Sequence, residues 1–370
     1  MNSLNNPKTK HGNTQNNVLT GLDQYLFLHE GNYNQFSFLS GNIKPNKDSK
    51  ENFIYNLRSR RLFAECQKIP YLHVIFPCKP LVAKDKVPKA YRDGIRSLFL
   101  SSYATLLDGR NPIQERVLYP LAALLRVQIQ EDAYWRNDTH INAAGQISVY
   151  REIGKYIPYL STTFPQFRLV DMPRSGDLSL MMGSKTQEIS RCFAWMGECL
   201  DYSNTRDLAG NTGDIVIRFN PLSKSEKRLA IVGDSFIKTM LHLFSQDFRT
   251  VMYIRGPYFQ PEMIERFCPD ALVTSETERY LAGVDSDRNG KSLYPKILKP
   301  EKNYKPNSDF QKALEAQMSY QNQPNLTKEW EEDQLNKHQL KFNGFGSAIH
   351  NQQLVQIRNS DVKILEVTGE

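Results

Sequence analysis

RLAIVGDSFIKTMLHLF, residues 228–244, decides how this chain is read. An apolar strand runs into Gly233-Asp234-Ser235, and an amphipathic helical pattern begins at once. A serine on such a turn is lifted above the edge of its sheet. Its own N–H then lies at a helix N-terminus, where donors are unpaired and negative charge is favoured. Gly233 permits the tight turn without a Cβ clash. Two readings of Ser235 stand on these letters alone: a helix cap, or a nucleophile carrying half of its own oxyanion hole.

Working outward, YLHVIFP (71–77), DIVIRF (214–219), TVMYIRG (250–256) and ALVTSE (271–276) read as further strands. Helical segments at 236–248 and 261–267 separate the last three strands of the series. Earlier helices are expected over 51–68, 91–107, 114–125 and 147–160, with a short apolar strand around Tyr25 and Phe27. Strands alternating with helices predict an α/β fold: three layers, a mostly parallel central sheet and helices on both faces. Chemistry is then expected at the carboxyl ends of the strands. Residues 1–20 are Asn-rich and polar and read as a disordered leader. Residues 21–284 form the expected catalytic domain, and 285–370 a C-terminal appendix or linker that ends in the β-like run LVQIRNSDVKILEV.

The 370 residues are 40% hydrophobic and 24% charged, the composition of a globular chain, and no apolar stretch is long enough to span a bilayer. The formal net charge is +7. Residues 285–370 balance at 12 basic and 12 acidic, so the surplus belongs to the first 284. That surplus suits an anionic partner, but no basic helix or aromatic RNA-binding signature points to nucleic acid. The opening MNSLNNPKTKHGNTQNN lacks the apolar core of a secretory signal, so a cytoplasmic location is expected, or a periplasmic one if a leader has been removed. Five cysteines without metal-like pairing read as reduced thiols, and Cys192 and Cys199, seven apart, are expected on one helix.

A serine hydroxyl needs a base. Of seven histidines, His11 lies in the leader and His338 and His350 in the appendix, while His29, His73 and His242 sit in or beside apolar segments. His140 differs. It lies in the polar loop YWRNDTHINAAG with Asp138 two residues before it, placed to fix the imidazole tautomer and to stabilise an imidazolium. The same letters also fit a capping turn in which Asp138 or Asn142 bonds to backbone. Read together with Gly-Asp-Ser at a strand end, they favour a Ser235–His140–Asp138 triad.

A DTH loop followed by a strand-borne GDS resembles the alginate O-acetyltransferase family, SGNH-hydrolase-like bacterial proteins that esterify exopolysaccharides. That family places its Asp-x-His before the serine, as here. Pro77-Cys78-Lys79 with Pro88, Gly176-Asp177-Leu178, and Glu278-Arg279-Tyr280-Leu281 match further landmarks, so the likeness covers about residues 21–284. Where the family has Trp after the His, this chain has Ile141.

The resemblance implies an SGNH-hydrolase-like fold and acetyl transfer through a Ser235 acetyl-enzyme to a hydroxyl of a capsular or exopolysaccharide, with no metal and no bound cofactor. A cytoplasmic enzyme would draw on acetyl-coenzyme A, would meet an acceptor that is expected to be anionic, and would work beside other capsule-synthesis enzymes. Arg255 and Gly256, at the end of the next strand, are candidates for the second oxyanion donor. Asp234 and Asn142 flank the proposed groups, and Trp135, Tyr134 and Tyr258 are placed to stack on sugar rings or to fill the core. An esterase using the same triad with water, and a glycan-binding module with a retired site, remain as rivals.

Overall fold

The structure is a computed structural model. It describes residues 14–15, 17–30, 34–107, 116–164, 167–184, 187–195, 199–294, 297 and 304–345. The strands, in chain order, are β1 (Thr14–Gln15), β2 (Val18–Thr20), β3 (Leu26–Leu28), β4 (Tyr71–Phe76), β5 (Val117–Leu118), β6 (Phe167–Arg174), β7 (Glu188–Trp195), β8 (Leu200–Ser203), β9 (Ile215–Phe219), β10 (Arg228–Gly233), β11 (Thr250–Arg255) and β12 (Ala271–Thr277).

Seven of them form the central sheet in the order β5-β4-β12-β10-β11-β9-β8. The five strands from β5 to β11 in that order pair in parallel; β9 and β8 close one edge antiparallel. Every residue of β4 and β10 is buried, as a strand covered on both faces requires. One face packs Leu72, Val74, Leu229 and Ile231 against Tyr150, Ile153, Phe236 and Phe244. The other packs Ala230, Val232, Met252 and Leu272 against Met263, Ile264 and Phe267. The expected three-layer α/β architecture is thus observed, with β10, the strand that leads into Gly233-Asp234-Ser235, at the centre of the sheet.

Several expected elements are reshaped by local chemistry. The helix expected over 51–68 runs Lys47–Cys66, because the Asn46 side chain accepts from Ser49 N at 2.7 Å and starts it earlier. The one expected over 147–160 is Ala143–Gly154, started by the Asn142 cap on Gly145 N. The single helix expected over 91–107 is broken: Ser97 caps a new start, giving Leu98–Ser102 and a 3-10 turn Ala104–Leu107. Over 114–125 lie β5 and, after Pro120, the helix Leu121–Gln130. The segment 236–248 holds two one-turn helices, Ser235–Lys238 and Leu241–Phe244, interrupted at Met240. Cys192 and Cys199 share no helix: Cys192 lies in β7 and Cys199 just ahead of β8.

Order begins before residue 21, since β1, β2 and β3 form a small antiparallel sheet that buries Val18 and Leu19 completely. Residues 1–13 and the run 354–367 lie outside the described residues. Beyond residue 284, the helix Ser308–Met318 buries Phe310, Ala313, Leu314 and Met318 in the second of the two cores just named.

Candidate active site

Gly233-Asp234-Ser235 stands at the carboxyl end of β10, between β11 and β12. A Cβ on Gly233 would run into the Ser275 hydroxyl of β12, so only glycine lets the turn lie this close to its neighbour. Asp234 is spent on the turn itself. One carboxylate oxygen accepts from Phe236 N at 3.0 Å, and the other from Thr277 N at 2.8 Å and from the Thr277 hydroxyl. The Tyr253 hydroxyl donates to the carbonyl oxygens of Asp234, at 2.9 Å, and Gly233, at 3.2 Å. Ser235 follows at the head of a helix. It is half-buried, and its N–H is the first amide of the helix Ser235–Lys238, a position with no intrahelical acceptor.

The Asp138–His140 loop reaches the same end of the sheet from another part of the chain. Asp138 Oδ1 accepts from His140 N at 2.8 Å and lies 2.6 Å from His140 Nδ1. Its Oδ2 takes the Arg174 guanidinium at 2.6 Å and Asp177 N at 3.2 Å. Burial alone would raise the pKa of Asp138. The hydrogen bond and charge of His140, joined by Arg174, outweigh it and hold this carboxyl well below its ordinary range. Asp138 is thus an anion with both oxygens engaged. The imidazole is left with Nδ1 oriented toward the carboxylate, while Nε2 is buried and has no partner.

That free nitrogen is where a catalytic base is wanted. The His140 ring lies 4.8 Å, centroid to centroid, from the ring of Phe236, the residue after Ser235. His140 and Ser235 are not hydrogen-bonded, and catalytic bonds of this kind often tighten only around substrate. Asp138, His140 and Asp177 also offer donor atoms within 4.8 Å of one another, the spacing of a cation site. Those atoms are already engaged: Asp177 takes Thr139 N at 2.8 Å and the Thr139 hydroxyl at 2.5 Å, and Asp138 is held as above. The donor set fits an oriented histidine better than a metal.

The other expected site residues fall in different places. Arg255 N donates to Asp214 O at 2.8 Å, so that amide is not free to hold an oxyanion. Arg255 and Gly256 instead line a cleft of about 360 Å³ that runs past Gly233 and Asp234, between the helix Lys47–Cys66 and the sheet. Asn56, Arg60, His73 and the unpartnered Ser275 hydroxyl give this cleft a polar wall. Asn142 is a helix cap, which also donates to Asp132 O. Trp135 lies beneath Arg174, whose guanidinium carbon is 3.8 Å from the ring centroid. Tyr134 is core, its hydroxyl donating to Pro77 O at 2.6 Å. Tyr258 is half-buried and packs beside Gly290.

Arg174, Tyr253 and Thr277 went unread in the sequence. Arg174 closes a two-stranded ribbon, β6 with β7, that the apolar pattern did not announce.

No protein-family model matches the chain, and no curated protein matches it. Solved structures do. PatB1 of Bacillus cereus with a sulfonyl adduct is 12% identical over 74% of this chain and 97% of its own, with a TM-score of 0.50. A DHHW family protein from Eubacterium siraeum is 13% identical over 74% and 94%, with a TM-score of 0.47. The O-acetyltransferase domain of Pseudomonas putida AlgJ is 16% identical over 77% and 97%, with a TM-score of 0.46. The PatB1 likeness is one of fold, and the SGNH-hydrolase-like α/β fold expected from the sequence is the fold of this chain.

Proposed function

We propose that this chain is an O-acyltransferase that passes an acetyl group through Ser235 to a hydroxyl of a polysaccharide. The observation that carries the reading is the state of His140: Nδ1 is pinned 2.6 Å from an ionised Asp138, and Nε2 is buried, unpartnered and beside the turn that bears Ser235. A buried polar atom without a partner is costly, and an enzyme that uses it as a base recovers that cost in its reaction.

In the first half-reaction Ser235 Oγ bonds to the acetyl carbon of the donor while its proton passes to His140 Nε2. The tetrahedral oxyanion is met by the Ser235 amide, and its collapse expels the donor's leaving group with the proton from His140. In the second, a sugar hydroxyl gives its proton to His140. It attacks the acetyl-serine, and Ser235 is released as the hydroxyl. Asp138 stays ionised throughout and stabilises the imidazolium. The sulfonyl adduct of PatB1 and the O-acetyltransferase domain of AlgJ suit this reading, and acetyl-coenzyme A is the donor we propose to test first.

The test is intact-protein mass after brief exposure to acetyl-coenzyme A and, separately, to p-nitrophenyl acetate, with Ser235→Ala and His140→Ala alongside. One acetyl adduct on the wild type alone, chased off by an acidic polysaccharide with acetate appearing on the glycan, is expected. Acetate released only to water assigns the chain to the esterases. No adduct from either donor, with none on Ser235, overturns the nucleophile.

A further inference from the structure

Lys79 follows β4 at the start of the short helix Lys79–Val82, and only 4% of it is exposed. Its ammonium reaches four backbone carbonyl oxygens: Leu26 at 2.8 Å, Trp135 at 2.7 Å, Arg136 at 2.7 Å and Asp138 at 2.9 Å. The rings of Tyr25 and Phe27 lie 5.0 and 5.4 Å away. A buried cation satisfied by carbonyl dipoles and ring faces, with no carboxylate in contact, is an expensive arrangement. Three of the four oxygens belong to residues 135–138, the segment that presents Asp138 and His140. The lysine itself belongs to the strand layer that presents Ser235. Because His140 and Ser235 share no hydrogen bond, something else must fix the distance between the two halves of the site.

We propose that Lys79 is a positioning residue of the proposed acyl-transfer site: its charged ammonium latches the Asp138–His140 loop to the sheet that carries Ser235. An ammonium offers three donors to the four oxygens; a neutral amine offers two donors and turns a lone pair toward carbonyl oxygens, which repel it. The latch holds in the charged form.

Every element packed around Lys79 contributes charge to it. The loop supplies Asp132, Asp138 and Arg136, the helix Asp177–Met181 supplies Asp177, and β7 supplies Glu188. From the N-terminal side Tyr25 faces it, with Lys86 behind that ring. Burial pushes the ammonium down to about 7, against the pull of Asp138, Asp177, Glu188 and Asp132. As pH rises through that value the folded protein loses the ammonium, while the unfolded chain keeps its proton until near the ordinary 10.5. The unfolded state then binds more protons, so this group makes the fold more stable with rising pH while the latch is lost. A purely structural lysine would not separate activity from stability in that way.

The inference rests on Ser235 being the nucleophile, and the experiment keeps the two apart. Phenylmethylsulfonyl fluoride is the probe: the Ser235 oxygen–sulfur bond forms, the sulfur–fluorine bond breaks, fluoride leaves and the serine proton passes to His140. Labelling is followed by intact mass from pH 5.5 to 9.5, with melting temperature measured in the same buffers and Ser235→Ala as the control. The wild type is expected to label more slowly above about pH 7 with no matching fall in melting temperature. Lys79→Met is expected to label about 100-fold more slowly at pH 6.5, the scale of a misplacement near 1 Å, and to show no alkaline decline. Lys79→Met labelling at pH 6.5 within threefold of wild type overturns the latch. Should Lys79→Met fail to fold, Lys79→Gln, uncharged but still a donor, takes its place under the same criterion. Labelling equal in wild type and Ser235→Ala removes the nucleophile instead, a separate failure.

Discussion

Asp138 binds a histidine with one oxygen and an arginine with the other, and the two bonds do different work. The His140 bond fixes the tautomer and does most to keep the buried acid ionised; the Arg174 bond adds to that from the other oxygen. Asp138→Asn should therefore leave the fold intact and present the wrong tautomer. By the general behaviour of such triads, Ser235 acylation should slow by about four orders of magnitude, read as adduct formation from p-nitrophenyl acetate. Loss of less than tenfold would show that His140 needs no anion. With its folded pKa depressed, Asp138 stabilises the fold above the ordinary 3.8, and that contribution fades as pH falls below it. The pairing of Asp138 with His140 was legible in the sequence, because an Asp two residues before a His can reach its ring. Arg174 was not, since its role depends on a contact 36 residues away in the chain. The engagement of the Arg255 amide was equally hidden: a strand end looks free until the Asp214 carbonyl is seen to take its N–H.

At the scale of elements, the antiparallel ribbon of β6 and β7 delivers the turn 174–177 to the histidine loop. Gly176 sits where a Cβ would meet the backbone carbonyl of Asn137, the residue before Asp138. Asn137 Nδ2 in turn donates to Arg174 O at 3.3 Å, and Thr139 N to Asp177 at 2.8 Å, so ribbon and loop are stitched on both sides of the glycine. Gly176→Ala should push them apart, at a cost of about 1–3 kcal/mol. Sulfonylation of Ser235 should fall more than stability does, because the displaced backbone adjoins Asp138. A variant as reactive as wild type would mean that the loop is not registered by this contact. The long buried strands were readable as apolar runs in the sequence. The ribbon was not, because β6 alternates Arg168, Asp171 and Arg174 with half-exposed apolar residues and never forms a clear buried face. The helices broken at Ser97 and Met240 show the same limit, since caps and side-chain bonds to backbone reset a periodic pattern without erasing it.

At the scale of the molecule, β10 is anchored from its far end by residues well beyond 284. Arg228 opens β10, and its guanidinium carbon lies 4.2 Å from the Phe267 ring centroid and 4.1 Å from that of Tyr320. Arg228 Nε donates to Phe267 O at 3.0 Å, and the guanidinium lies 3.7 Å from Glu331 on the helix Pro324–Phe345. Burial lowers Arg228 to about 10 despite that carboxylate. On the same helix Trp330 packs on Tyr202 of β8 and Phe219 of β9, with ring centroids 5.2 and 5.6 Å away, and Tyr202 donates to Gln334 at 2.8 Å. The antiparallel edge of the sheet is thereby covered. A chain ending at residue 284 would bare that edge, leave Arg228 without its carboxylate and expose the seats of Phe310, Leu314 and Met318, each of which stabilises by about 2 kcal/mol when buried. A native domain has only about 5–15 kcal/mol to lose. The 1–284 fragment should accordingly be insoluble or unfold well below the full chain, whereas a chain ending at residue 345 should melt with it. A cooperative 1–284 fragment melting within a few degrees of the full chain would instead make the last helices a dispensable addition and leave Arg228 to be satisfied by water.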